Sequence, residues 1–178
     1  MLRQSLLAAC VATSLVGTVS QAHVVLAQTE AAPGSTVVAA FRVSHACGDS
    51  PTVRLRVEIP AIIEGVNPQP KAGWKVTLER TPVPAGSKSI GRITAITWEG
   101  SLDASFFDDF TALFKLPDSA AQIYFPTVQV CASGEDRQWV QIPAAGKAWN
   151  SVPRPAPVLN VISPAQAAMP AGVDHAHH

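Results

Sequence analysis

The amino-acid sequence predicts an all-β domain, an antiparallel β-sandwich of the immunoglobulin-like or cupredoxin-like type. In several short segments apolar and polar residues alternate with a period of two, which is typical of strands with one buried and one solvated face. Turn-forming Pro, Gly and Asp residues separate these segments at intervals of roughly 8 to 12 residues. The sequence has no long apolar stripe of helical period.

The clearest alternation lies in residues 52–59, where Val, Leu and Ile take the odd positions and Thr, Arg and Glu the even ones. This pattern predicts a strand that buries Val53 together with the other odd-numbered residues. Seven further segments complete a set of eight candidate strands: 37–43, 74–79, 90–99, 110–116, 124–131, 138–142 and 158–162.

Turn signals separate the candidate strands. They lie at Pro33-Gly34 and at residues 47–51, 68–70, 82–86 and 134–136. We expect a helical turn at residues 106–110, directly ahead of the next strand.

The first 22 residues have the features of a secretory signal peptide. Arg3 supplies a positive start, residues 6–19 are mostly apolar, and the small residues Ser20 and Ala22 precede the cleavage point. This apolar run of 14 residues is shorter than the ~20 needed to span a membrane, so we expect release. A competing signal, Leu7 to Cys10, resembles the lipid-attachment box of bacterial lipoproteins, and its use would keep His23 internal.

Cleavage after Ala22 leaves 156 residues, which suit one domain with a sizeable core. We expect a leader at 1–22, a β-sandwich at 23–162, and a disordered Ala/Pro-rich tail at 163–178 that ends in histidines. The cleaved chain has 12 basic and 13 acidic residues, so no strong field attracts nucleic acid or anionic lipid. We find no Ser/His/Asp pattern and no phosphate-binding glycine loop, which disfavours hydrolase and nucleotide functions.

Two cysteines, Cys47 and Cys131, remain after the leader is removed. In an exported protein an even cysteine count predicts a disulfide, here worth about 4 kcal/mol in the chain-entropy model. The alternative is a pair of thiolates that bind Cu(I).

His23 would become the first residue after cleavage. A first-position histidine offers a metal two donors, its free α-amine and its imidazole, whereas an internal histidine offers only the ring. Any residue can follow a signal peptide, so the junction alone does not establish a metal site.

Other candidate site residues also have ordinary explanations. Glu99 stands at the end of a predicted strand and could be a solvated acid, and Trp139 could cover one end of the core. His45 could supply a second imidazole, as in copper monooxygenases that attack polysaccharides. The tail histidines could collect metal loosely or be merely solvated: His175, His177 and His178.

Several motifs resemble the YcnI-like family of exported copper-binding proteins over roughly residues 23–162. They are His23-Val24, Gly73-Trp74-Lys75-Val76, Ile96-Thr97-Trp98-Glu99, Asp108-Asp109-Phe110-Thr111, Tyr124 to Gln129, and Trp139. The resemblance implies a β-sandwich that binds Cu(II) through a mono-histidine brace. On matching positions the ligands are His23 and Glu99, with Trp139 beside the metal and not a strong ligand. Not every relative shares the two cysteines or the histidine tail.

Nitrogen and oxygen donors of this kind suit Cu(II), and zinc is the main competitor. We expect the imidazole to bind through Nδ1, which closes a small chelate ring with the α-amine. Both nitrogens must lose protons to bind, so we expect copper affinity to fall as pH drops.

Three classes of function remain open. The first is a secreted or periplasmic protein that delivers, stores or buffers copper without turnover, with a copper-donating or copper-receiving protein as its partner. The second is a copper-dependent oxidative enzyme of the polysaccharide monooxygenase type. The third is a metal-free structural or adhesion sandwich. The sequence predicts no small-molecule substrate and leaves the oligomeric state open.

Overall fold

The computed structural model describes residues 23–44 and 47–163. In these residues the chain forms twelve strands and one short 3-10 helix, Trp149–Ser151. The strands are β1 (Val25–Leu26), β2 (Glu30–Ala31), β3 (Thr36–Val43), β4 (Thr52–Glu58), β5 (Gly65–Pro68), β6 (Lys75–Arg80), β7 (Ile93–Leu102), β8 (Asp108–Lys115), β9 (Ala121–Tyr124), β10 (Thr127–Cys131), β11 (Asp136–Trp139) and β12 (Val158–Val161). None of the described segments is a helix long and apolar enough to cross a lipid bilayer.

Two antiparallel sheets form the body of the sandwich. One has the strand order β1-β3-β8-β5, and the other has the order β11-β10-β4-β7-β6. A smaller sheet, β2-β12-β9, joins β12 to β9 antiparallel and to β2 parallel. The predicted all-β antiparallel sandwich is therefore confirmed.

Aromatic side chains fill the space between the sheets. Phe41 packs edge-on against Phe125, whose ring stacks on Phe114 with centroids 5.4 Å apart. Trp98 and Phe110 contact each other from opposite sheets and are fully buried. This core fixes both sheets and therefore the strand ends that carry the candidate site.

The alternation in residues 52–59 changes phase at a bulge. Leu55 and Val57 are buried as predicted, but the pairing of β10 with β4 shifts between Val130 and Cys131, whose partners are Arg54 and Thr52, so β4 has one extra residue, Val53. Because a bulge adds one unpaired residue, Thr52 turns inward and is buried, while Val53 is only half-buried. The prediction that Val53 shares the buried face of Leu55 is wrong.

Other local predictions differ from the structure in short segments. The helical turn expected at 106–110 is wrong, since Asp108 already begins β8. The candidate strand at 124–131 is interrupted between β9 and β10, at Phe125 and Pro126. Three short strands were not predicted: β1, β2 and β5.

A disulfide joins Cys47 to Cys131, as predicted, with their Cα atoms 5.6 Å apart. It connects the segment before β4 to the end of β10, which are neighbours in the five-stranded sheet. The bond therefore ties the chain at one end of the β10-β4 pair.

Candidate metal centre

His23 lies at the edge of the sandwich, two residues before β1. The next residue, Val24, is fully buried, and Val25 pairs with Arg42 of β3. These contacts hold the backbone beside His23 while its own side chain stays half-buried. The residue at which the sequence predicts a new chain start is thus attached directly to the folded core.

The His23 imidazole lies between two indole rings. Its centroid is 5.1 Å from that of Trp139, with the ring planes at 54°. On another side, Trp149 lies 5.3 Å away, with the planes at 60°. We call His23, Trp139 and Trp149 together the indole cleft.

Trp139 is the buried wall of the indole cleft. It ends β11, which pairs with β10, and its side chain faces the core. Its indole N–H donates to Oε1 of Gln129 at 3.3 Å. The buried polar group is therefore satisfied, and the indole is held by a hydrogen bond as well as by packing.

The hydrogen bond between Trp139 and Gln129 is the first of a chain that runs through the core. Gln129 is fully buried and donates from its amide nitrogen to Oγ1 of Thr52 at 2.7 Å. Thr52 in turn donates to Sγ of Cys47 at 3.6 Å. Because an indole N–H can only donate, the Gln129 oxygen must face Trp139 and its nitrogen must face Thr52. A buried chain of hydrogen bonds thus links Trp139 to the disulfide.

Trp149 is the half-exposed wall, and it was not among the predicted site residues. It lies in the long connection between β11 and β12 and begins the 3-10 helix. Its indole N–H donates to the carbonyl oxygen of Ala156 at 2.7 Å. The signal that could have found it is a tryptophan in a segment rich in Pro, Gly and Ala, where no strand pattern requires one.

Both indole N–H groups are thus directed at other partners. Each wall contacts His23 through its aromatic ring, while the imidazole has no hydrogen bond or ion pair within the described part of the chain. The cleft combines an imidazole with two aromatic surfaces, which attract cations.

Glu99 is not brought to this cleft. It is exposed on β7, where its register partners are Arg54 and Lys75, and its Oε1 lies 4.0 Å from Nε of Arg54. The preceding residue, Trp98, is fully buried, so Glu99 points to the outer face of the sheet. Two strands separate β7 from β11, which places Glu99 at least three strand spacings, about 14 Å, from Trp139. The predicted combination of His23 with Glu99 is not assembled in this structure.

The other predicted metal residues lie outside the described residues: His45, His175, His177 and His178. Within the described ranges, His23 is the one histidine, and no group of three or more His, Cys, Asp or Glu side chains is arranged to hold a metal ion. The described protein groups therefore offer His23 alone as a nitrogen donor beside the indoles.

The domain matches the model of a known protein family. A family model described as a domain of unknown function, DUF1775, matches residues 23–161. The chain belongs to this family. The match begins at His23 itself, and it agrees with the YcnI-like resemblance of the motifs.

The chain is also similar to one named protein and to one solved structure. It is 27% identical over 123 residues to the copper-binding protein CutI of Bacillus subtilis, a match that covers 67% of this chain. It spans only 56% of the length of that relative. A crystal structure from Nocardia farcinica with an immunoglobulin-like fold covers 79% of this chain and 99% of its own, with a TM-score of 0.64 and 23% identity. This likeness shows the immunoglobulin-like type of sandwich.

Proposed function

We propose that the mature protein is an exported copper-binding protein that begins at His23. Its donors are the free α-amine and the imidazole of that residue. The observation that carries the proposal is the His23 ring held between Trp139 and Trp149 at the edge of the folded domain. The similarity to a relative named as a copper-binding protein supports the same metal.

The donor chemistry favours copper. An amine and an imidazole are nitrogen ligands, and copper has the highest affinity for such sites among the divalent first-row metals. Cu(II) is the oxidation state that these donors suit. Glu99 is not part of the proposed donor set, because it lies on the outer face of the five-stranded sheet and beside Arg54.

Export creates the second donor. In the precursor the nitrogen of His23 belongs to a peptide bond, whereas cleavage after Ala22 converts it to an amine that binds metal once it loses a proton. The proposed site therefore forms only after the leader is removed, and it loads copper in the compartment to which the protein is exported.

A site of this kind suits transfer of copper to or from another protein. One residue supplies both donors, and the cleft lies at the sandwich edge with His23 and Trp149 half-buried. A weakly enclosed ion is accessible to a partner's ligands. We therefore propose a role in copper delivery or buffering, without turnover.

The decisive experiment compares two preparations of the same domain. Both are exported and start at His23, as checked by mass spectrometry, and one of them carries an acetyl group on the α-amine. Copper titration against a chelator should show at least about tenfold tighter binding by the form with the free amine, because only that form has both donors. The cleaved domain with Ala in place of His23 is the matched control. Equal affinity of the two His23 preparations would contradict the proposal.

A further inference from the structure

We propose that Trp149 is the second wall of the copper site. With Trp139 it fixes the orientation of the His23 imidazole and keeps water away from one side of bound copper. This inference rests on the function proposed above, but it concerns a residue that neither the sequence pattern nor the family resemblance indicates.

The main core does not account for the position of Trp149. Trp74, Trp98 and Trp139 all pack in or against the apolar cluster between the sheets, whereas Trp149 stands outside that cluster among the described residues. The ring that Trp149 contacts is that of His23. Covering the core is therefore a poor explanation for a large, half-exposed indole at this point.

The segment that carries Trp149 is anchored beside Trp139. Gln141, two residues after Trp139, donates its backbone N–H to the carbonyl of Arg154 at 3.0 Å. Its own carbonyl accepts from the N–H of Ala156 at 2.8 Å, and its side-chain oxygen accepts from the N–H of Arg154 at 2.7 Å. Ala156 also accepts the indole N–H of Trp149. These bonds set the spacing of the two walls.

The anchoring also determines what the walls present to the cleft. With each N–H engaged elsewhere, the indoles contact the imidazole through their rings. An imidazole flanked by two rings has already lost rotational freedom before metal arrives, so less conformational entropy is lost on binding. Aromatic surfaces near a cation attract it and limit access of solvent.

The test uses the cleaved domain with three variants: Trp149→Ala, Trp149→Phe and, as a matched control at a distant tryptophan, Trp74→Phe. Trp74 packs on Phe110 away from the cleft. We expect about tenfold weaker Cu(II) binding for Trp149→Ala and binding within about threefold of wild type for Trp149→Phe, which keeps an aromatic ring. Trp74→Phe should bind like wild type.

Two spectroscopic readouts separate a site role from a general loss of stability. Cu(II) should quench less tryptophan fluorescence in Trp149→Phe than in Trp74→Phe, because Trp149 is one of the two indoles beside His23. In the copper-free domain, Trp149→Ala should shift the imidazole proton resonances of His23, and Trp74→Phe should not.

The outcomes distinguish this inference from the proposed function. If the cleaved wild type binds copper tightly and both Trp149 variants match it in affinity and in quenching, the proposed role of Trp149 is wrong and the proposed His23 site is unaffected. If the wild type binds no better than the acetylated form, the proposed function fails and the copper role of Trp149 fails with it. Unchanged His23 resonances in Trp149→Ala would overturn the positioning role whatever the copper result.

Discussion

The indole N–H of Trp139 donates to Oε1 of Gln129 at 3.3 Å inside the core. Gln129 lies on β10 and is fully buried, an uncommon place for a glutamine unless its hydrogen bonds are satisfied. Its amide nitrogen donates to Oγ1 of Thr52. One buried amide thus links a wall of the indole cleft to the strand that follows Cys47.

Replacing Gln129 with Leu should destabilise the domain and loosen Trp139. The substitution leaves the indole N–H of Trp139 without an acceptor in the core and removes the donor to Thr52. Each unsatisfied buried group costs about 1–3 kcal/mol, so we expect a loss of about 2–4 kcal/mol in the free energy of unfolding. Urea unfolding measures it. Gln138→Leu, on the exposed side of the same hairpin, is the control and should change stability by less than about 0.5 kcal/mol. Equal stability of the two variants would show that the buried amide is not needed.

Glu99→Gln should leave copper affinity unchanged. Glu99 lies on the outer face of the five-stranded sheet and its nearest charged partner is Arg54. Removing the charge affects an exposed ion pair, which contributes about 0–1 kcal/mol to stability. The measurement is copper titration of the cleaved domain beside His23→Ala, which should lose binding. A tenfold loss in Glu99→Gln would show that the carboxylate reaches the metal and that the proposed donor set is incomplete.

The sequence predicted the contact between His23 and Trp139 better than it predicted the metal ligands, His23 and Glu99. His23 stood out because the leader ends there, and Trp139 because it follows a hairpin turn on a predicted strand. Their proximity was implied only by the family resemblance, since β1 and β11 belong to different sheets. The outward direction of Glu99 was readable from the alternation with Trp98. Its distance from Trp139 was not, because strand order depends on long-range pairing.

Local pattern also explains which parts of the fold were predictable. Strands such as β3 and β8 are long enough for alternation to be visible, whereas β1 and β2 have two residues each and show no period. The bulge after Thr52 reverses the alternation at a point where the sequence gives no turn signal. Trp149 was missed because its position depends on backbone hydrogen bonds to Gln141, which no periodicity predicts.

Removing the disulfide should lower stability and disturb the buried chain of hydrogen bonds. Cys47 and Cys131 are 84 residues apart, so their link restricts the unfolded chain strongly. For the double variant Cys47→Ala, Cys131→Ala we expect a loss of about 2–4 kcal/mol in the free energy of unfolding. Urea unfolding of the variant, compared with oxidised and reduced wild type, checks this. Coincident curves for oxidised and reduced wild type would contradict it.

Copper affinity of the cleaved domain should fall as pH drops. Both donors of His23 must be unprotonated to bind, so protons compete with copper at two nitrogens. In the acetylated form only the ring competes, and the decline with acid should be shallower. Titrations at several pH values, against a chelator whose own pH dependence is known, give the slope of copper affinity against pH for each form. Undiminished binding by the cleaved domain at about pH 4 would exclude the amine as a ligand.

Replacing Trp149 with Ala should lower the reduction potential of bound copper. The half-exposed wall shields one side of His23, and its removal admits water to the cleft. Water stabilises Cu(II) more than Cu(I), because the higher charge gains more from hydration, and solvent access is a known control on potential. The affinity for Cu(I) should therefore fall by a larger factor than the affinity for Cu(II). Separate Cu(I) and Cu(II) titrations of Trp149→Ala, Trp149→Phe and the distant control Trp74→Phe measure this ratio. A ratio in Trp149→Ala equal to that of Trp74→Phe would show that Trp149 does not control solvent at the metal.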